Sequence, residues 1–403
     1  MDIRRIIESH ASRDRAKELL IALVKVPSPQ TELLEAEPQL REFITGALEP
    51  RLRQMGFGAI RYDDMGNLIA TFGADATGKS LMFVGHAMNQ PAATMANAYD
   101  GDVVDGAPFD LPGEAVMGKG ASEQKSSLAA MLHGMETVIG AGLPINGRLI
   151  FVCCVSGETG RHDAIRNVVE TEGVRADMAL LYGDSLMINL GNRGRIDVFI
   201  RVHGAPCHSS QPQEGCNAIT GAMEVIRRLG DDVPLDASHP DLGTPTLCIN
   251  RIRSFPESTH TIQARCDITV DRRLLPGEDP QAALADIEAA AMAVDGMADP
   301  VSGKKWRVEV EMGPFMYPSL LTADSPIVRL INGAGEAMLG AAPETFFAPS
   351  AFDQGYLNHV GIPTANYGAG EQRFAHTDQD MASVDRTFDS AKVYAYMIAD
   401  YLG

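Results

Sequence analysis

Apolar positions in the opening segment recur at helical spacing. Ile6, Ile7, Leu19, Leu20, Leu23 and Val24 predict a helix running up to Pro27, and a second helix is expected over 35–55, closed by Gly56. The period then changes. Short β-rich runs at 68–72 and 80–85 precede an Ala/Leu/Met-rich helix at 125–139. A continuous apolar strand at 148–155 (RLIFVCCV), a helix around 164–172 and a strand at 178–182 follow. Unbroken apolar strands between helices indicate a sheet covered on both faces, so the fold class is α/β, with a central mixed sheet flanked by helices.

After Asn192 the texture alternates instead. The run 195–202 (RIDVFIRV) reads as a strand with one wet face, followed by a helix at 217–229, paired strands at 246–253 and 261–273, a helix at 280–293 and a strand at 306–312. That order is βαββαβ, a compact one-sheet, two-helix design. The α/β texture returns with a helix from Ser325 to Leu339, an apolar run at 362–368 and a C-terminal helix. Residues 192–314 are therefore expected to form a domain inserted into a larger one built from 1–191 and 315–403.

Composition narrows the function. The 403 residues suit two or three domains, and 34 Lys+Arg against 53 Asp+Glu leave a formal charge of −19. Such an acidic chain is a poor binder of nucleic acid or of anionic membranes. No apolar run approaches the ~18 residues a membrane span needs. The N-terminus lacks the apolar stretch and cleavage site of a signal peptide, so a cytoplasmic location is expected. Six cysteines, with Cys153 and Cys154 adjacent, do not form a disulfide or zinc-knuckle pattern.

In α/β sheets ligands gather at the carboxyl ends of strands. His86 follows one apolar run, Glu158 another, Asp184 a third and His376 a fourth, while Glu123 sits in a Gly-rich approach to a helix. Two imidazoles and three carboxylates are a donor set for divalent ions. The segments VGHAMNQP, MGKGASEQKSSLAAML, VSGETG, ADMALLYGD, RVHGAPCHSSQPQEGCNAI, DRR and GIPTANYGAG…AHT resemble the carboxypeptidase G, aminoacylase and succinyl-diaminopimelate desuccinylase family. The resemblance covers nearly the whole chain. It implies a dinuclear zinc amidohydrolase whose inserted domain acts as a lid and joins two copies into a homodimer.

The same resemblance implies metal ligation by His86, Glu123, Glu158, Asp184 and His376, with zinc, or else manganese, as the ion. His208 would polarise the substrate carbonyl. Substrate contacts would come from Arg273, from His260 (thirteen residues earlier, where the family has Asn), from Asn250 and from Gly368 and Gly370. Three positions depart from the pattern. Met88 replaces the Asp that orients the first His, Gly157 replaces the Glu that serves as general base, and Glu123 replaces the bridging Asp. Losing a general base costs about 10²–10⁴-fold, so Glu123, His162 or Asp163 is expected to take the proton if hydrolysis survives.

The leading expectation is a hydrolase of an amide-type bond in a small carboxylated substrate such as an N-acyl or N-carbamoyl amino acid or a dipeptide-like compound. The alternatives are the same pocket repurposed for a non-hydrolytic reaction (lyase, isomerase or C–N bond formation) and a non-catalytic small-ligand binding protein. Simpler roles stand beside several residues: His86 as a buried histidine bonded to a carbonyl, His208 as the cap of its turn, and Arg273 as an ion-pair partner of Asp271 or Glu278.

Overall fold

The structure, a computed structural model, describes residues 2–403. It divides into two compact units. One comprises the chain up to Gly191 with Ser319–Phe347 and Phe352–Gly403; the other comprises Asn192–Pro318 with Ala348–Ala351.

A nine-stranded mixed sheet forms the centre of the first unit. Four neighbouring strands, in the order Arg148–Cys154, Ser80–His86, Met178–Leu181 and Thr364–Asn366, run parallel. Antiparallel strands flank them, Leu68–Phe72 on one side and Ile188–Asn192 on the other. Every residue of Ser80–His86 is buried, as a strand covered on both faces requires. The helices Ser126–Gly140 and Val384–Leu402 pack together. Gly134 permits the approach, since a Cβ there would lie 2.9 Å from the Ala391 carbonyl oxygen.

The N-terminal helix is two helices, Ile3–His10 and Arg13–Val24, because Ser12 interrupts it. The Ser12 side chain accepts from Arg15 N and caps the second helix, while its own N–H is donated to His133 Nε2 at 2.9 Å. The next α-helix starts at Pro38, after the single 3-10 turn Leu34–Ala36, with Glu37 as its cap. Gly56, at φ 92°, lies just past the end of this helical region, as expected of a residue free to turn left-handed.

The second unit is a four-stranded antiparallel sheet in the order Thr246–Phe255, Arg265–Leu274, Gly194–His203, Arg307–Met316, with helices Ala218–Asp232 and Pro280–Met292. Alternation along Gly194–His203 places Ile196, Val198, Ile200 and Val202 in the core with Val225 and Ile287. The last strand reaches Met316, beyond the expected end at 312, by absorbing an irregularity between Met312 and Phe315. The strand expected to begin at 261 begins at Arg265; Thr261 instead bridges to His208. Among the described residues no helix is long and apolar enough to cross a membrane.

Candidate metal centre

Parallel strands bring their carboxyl ends to one edge. His86 ends its strand, and Glu158, Asp184 and His376 follow the strands ending at Cys154, Leu181 and Asn366. Glu123 arrives separately, through a loop in which Gly118 and Gly120 both take positive φ (153° and 81°) before the wide turn Ala121–Lys125. Asp380 clamps that loop. Its carboxylate accepts from Gly120 N at 2.7 Å, Ser122 N at 2.9 Å and Ser122 Oγ at 2.7 Å. Lys119 Nζ donates to the Thr377 carbonyl at 2.6 Å, tying the same loop to the residue after His376.

Glu123, Glu158 and His376 converge, each offering one ligand atom within 4.8 Å of the others. His376 Nε2 lies 3.3 Å from Glu123 Oε1 and 3.5 Å from Glu158 Oε2. Gln90 Nε2 donates to Glu158 Oε2 at 2.8 Å and fixes that carboxylate. Burial and the neighbouring Glu158 charge push the Glu123 carboxyl well above the usual range. Burial also works against ionisation of Glu158, but hydrogen bonds involving His376 and Glu123 outweigh it and hold Glu158 at about 2. Hydrogen bonds to Glu123 and Glu158 raise His376 to about 10. Two crowded carboxyl groups that resist joint ionisation are the environment a cation relieves. The donor chemistry fits a divalent ion.

His86 is buried, with its Nδ1 2.8 Å from the Met88 carbonyl oxygen. A carbonyl only accepts, so Nδ1 carries the proton and Nε2 keeps its lone pair. The Met88 thioether cannot orient the ring, but the Met88 backbone does so, and Gln124 Nε2 donates to the same oxygen at 2.9 Å. His86 Nε2 has no hydrogen-bond partner and lies 4.0 Å from Glu158 Oε1. Gly157 makes room for this ring: a Cβ at 157 would fall well inside van der Waals contact with Cγ, Cδ2 and Nε2 of His86. Tyr182 meets the ring edge-on, with centroids 4.7 Å apart.

The other candidates are engaged elsewhere. Asp184 Oδ1 accepts from Gln372 N at 3.0 Å and from Ser185 Oγ at 3.1 Å. His162 Nδ1 pairs with Asp353 Oδ1 at 2.8 Å, and its ring lies against Tyr356. Asp163 pairs with Arg166 at 2.6 Å. Gly370 N donates to Gly183 O at 2.8 Å, and a Cβ at Gly370 would lie 2.5 Å from that oxygen; one at Gly368 would lie 2.9 Å from Gly183 N. Close backbone packing accounts for both glycines. In the second unit, Arg273 grips Asp271 through Nε (2.7 Å) and a terminal nitrogen (3.1 Å). His208 Nδ1 lies 2.8 Å from Ser210 Oγ and accepts from Ser210 N at 3.2 Å, as a turn cap does. His260 and Asn250 are exposed, and the His260 carbonyl accepts from Ser209 N. The Cys207 thiol donates to the Gln211 carbonyl at 3.2 Å.

Four contributors escaped the sequence reading: Gln90, Gln124, Asp353 and Asp380. Gln90 and Asp380 each lie four residues past a candidate histidine. Proximity to a strand-end ligand was the available signal.

Residues 190–296 match the peptidase dimerisation domain of the M20 proteins. Across the chain, YgeY of Escherichia coli K12 is 25% identical over 373 residues, covering 88% of each protein. Succinyl-diaminopimelate desuccinylase of Phenylobacterium zucineum is 26% identical over 372 residues, 88% of this chain and 92% of the relative. Among solved structures, the M20 family metallo-carboxypeptidase of Sulfolobus solfataricus superposes with a TM-score of 0.76 at 16% identity, over 96% of this chain and 99% of that one, a likeness of fold. The matched domain and the named relatives support a kinship with the M20 metallopeptidases and related amidohydrolases and indicate a hydrolase.

Proposed function

We propose that the protein hydrolyses an amide-type C–N bond in a small carboxylated substrate, an N-acyl or N-carbamoyl amino acid or a dipeptide-like compound, with zinc or manganese as the ion. The convergence of Glu123, Glu158 and His376 carries this reading. An ion held there would polarise the amide carbonyl and acidify water. Glu158 and His376 would hold it, Gln90 fixes the Glu158 carboxylate, and Asp380 fixes the loop that presents Glu123. Of the three groups considered for the proton, Glu123 lies within the cluster, while His162 is committed to Asp353 and Asp163 to Arg166. We therefore assign the proton to Glu123. The substrate class rests on a desuccinylase relative and a carboxypeptidase neighbour, and the dimerisation match supports a homodimer.

The test is a panel of N-succinyl, N-acetyl and N-carbamoyl amino acids and dipeptides, assayed with zinc, with manganese and with chelator. Metal-dependent release of free amine from at least one class is expected, lost in Glu158→Gln and His376→Ala. The glycine at 157 favours a second reading, non-hydrolytic turnover, because the His86 ring takes up the room a base there would use. Substrate consumed without released amine would select it over the first.

A further inference from the structure

We infer that Gln124 is a positioning residue for His86: its amide holds the Met88 carbonyl that sets the imidazole tautomer, and so takes over the orienting task that the side chain at 88 cannot perform. The inference deepens the metal-dependent reading above and rests on it, since it takes His86 Nε2 as a donor to the metal centre.

The neutral His86 ring has two tautomers. With the proton on Nδ1, the ring donates to the Met88 carbonyl at 2.8 Å and keeps a lone pair on Nε2. That nitrogen is buried and has no hydrogen-bond partner, a cost that a cation would relieve. With the proton on Nε2 instead, the ring would turn a donor toward Glu158, whose Oε1 lies 4.0 Å away, and no lone pair would be left there for an ion. The choice depends on where the Met88 carbonyl points.

The peptide between Met88 and Asn89 is held at both of its polar groups. Asn89 N donates to the Ser28 carbonyl at 2.8 Å. The Met88 oxygen, with two lone pairs, serves both the His86 ring and Gln124 Nε2, the latter at 2.9 Å. Gln124 is fully buried, and its nitrogen also lies 3.4 Å from the Ala87 carbonyl oxygen. Two carbonyl acceptors on that side fix which end of the amide faces them. Gly120 leaves room for the group: a Cβ there would lie 3.0 Å from Gln124 Nε2 and 3.2 Å from Oε1. The other end, Oε1, is buried with no partner, a cost that an apolar side chain filling the same space would avoid. The donor end is therefore the reason for an amide here. Gln124 follows Glu123 in the turn Ala121–Lys125, so one turn carries a carboxylate to the cluster and braces the histidine.

The experiment uses the full-length protein labelled with nitrogen-15 at histidine and glutamine side chains, at about pH 8, where imidazole is neutral. His86 signals are assigned by their loss in His86→Gln. The metal-free parent is expected to show one His86 tautomer, protonated at Nδ1, with cross-relaxation between that proton and the Gln124 side-chain amide. Gln124→Met keeps the length and loses the donor. It should populate both tautomers and weaken manganese binding, read by equilibrium dialysis, about 10–100-fold. A parent with mixed tautomers or without the cross-relaxation would overturn the inference even if the variant failed to fold. So would a Gln124→Met protein that keeps the single tautomer and binds manganese within about twofold of the parent, whatever its stability; the hydrolase proposal would stand in either case. A parent that takes up no manganese at any loading would overturn the metal-dependent reading and this inference with it.

Discussion

Gly157→Ala isolates the contact on which the arrangement of the site turns. The added methyl falls inside the His86 ring. That ring is buried, held at Nδ1 by the Met88 carbonyl and faced by Tyr182. Swinging it away strands a buried donor, which costs about 1–3 kcal/mol; leaving it in place forces overpacking of about 1–3 kcal/mol. Gly157 is not in the left-handed region, so alanine introduces no backbone strain, and restricting the unfolded chain returns about 0.4–1 kcal/mol. The net expectation is a loss of about 1–2 kcal/mol. Urea unfolding of the metal-free protein, followed by far-ultraviolet circular dichroism, measures it. Trp306, the single tryptophan, is buried in the other unit, and its fluorescence separately reports that unit's unfolding. A dichroism transition within about 0.5 kcal/mol of the parent, the usual range for substitutions away from special features, would refute the steric account. The same contact predicts that Gly157→Glu displaces His86 before it can supply a base.

Two further outcomes follow from named partners. Asp380→Ala removes the acceptor for Gly120 N, Ser122 N and Ser122 Oγ, so Glu123 loses its support; manganese affinity, measured by chelator competition, should fall about 10–100-fold, and unchanged affinity would mean the loop holds itself. Burial works against the charge of Glu136, yet hydrogen bonds involving His133 and Arg15 outweigh it and hold the carboxyl at about 2. A carboxyl depressed in the folded state stabilises above its unfolded value and loses that contribution as pH falls through the folded one. The stability gap between the parent and Glu136→Gln should therefore be up to about 1 kcal/mol near pH 6, allowing for solvent screening, and close as pH approaches 2. A gap independent of pH would place the effect in packing instead.

Much of the architecture was legible because burial writes itself into hydrophobic period. The unbroken run ending at Cys154 and the alternating run from Arg195 distinguish a two-sided from a one-sided sheet without further information. Helix boundaries were less legible. Ser12 divides the first helix through a hydrogen bond to His133, a partner 121 residues away that no local pattern records. In the site, strand-end position picked out Glu158, His376 and His86, and a Gly-rich approach picked out Glu123. The same signal also selected Asp184, whose carboxylate faces Gln372. Sequence position fixes where a side chain starts, not which neighbour its oxygen meets.

Position 88 shows the difference most clearly. As a residue type, Met88 removes a side-chain acceptor, and the sequence allows a backbone carbonyl in its place without saying which one His86 meets. In the fold, the Met88 backbone carbonyl performs that task. Every residue carries such a carbonyl, so its availability depends on chain direction alone, which the side-chain alphabet does not encode. Gly157 is the complementary case. The sequence shows a missing carboxylate, while the tertiary structure shows the space so created filled by an imidazole. Which residues could hold a cation was determined by composition at the strand ends. Which of them meet was decided by packing, because an interior at crystal-like density leaves room for one occupant at each place.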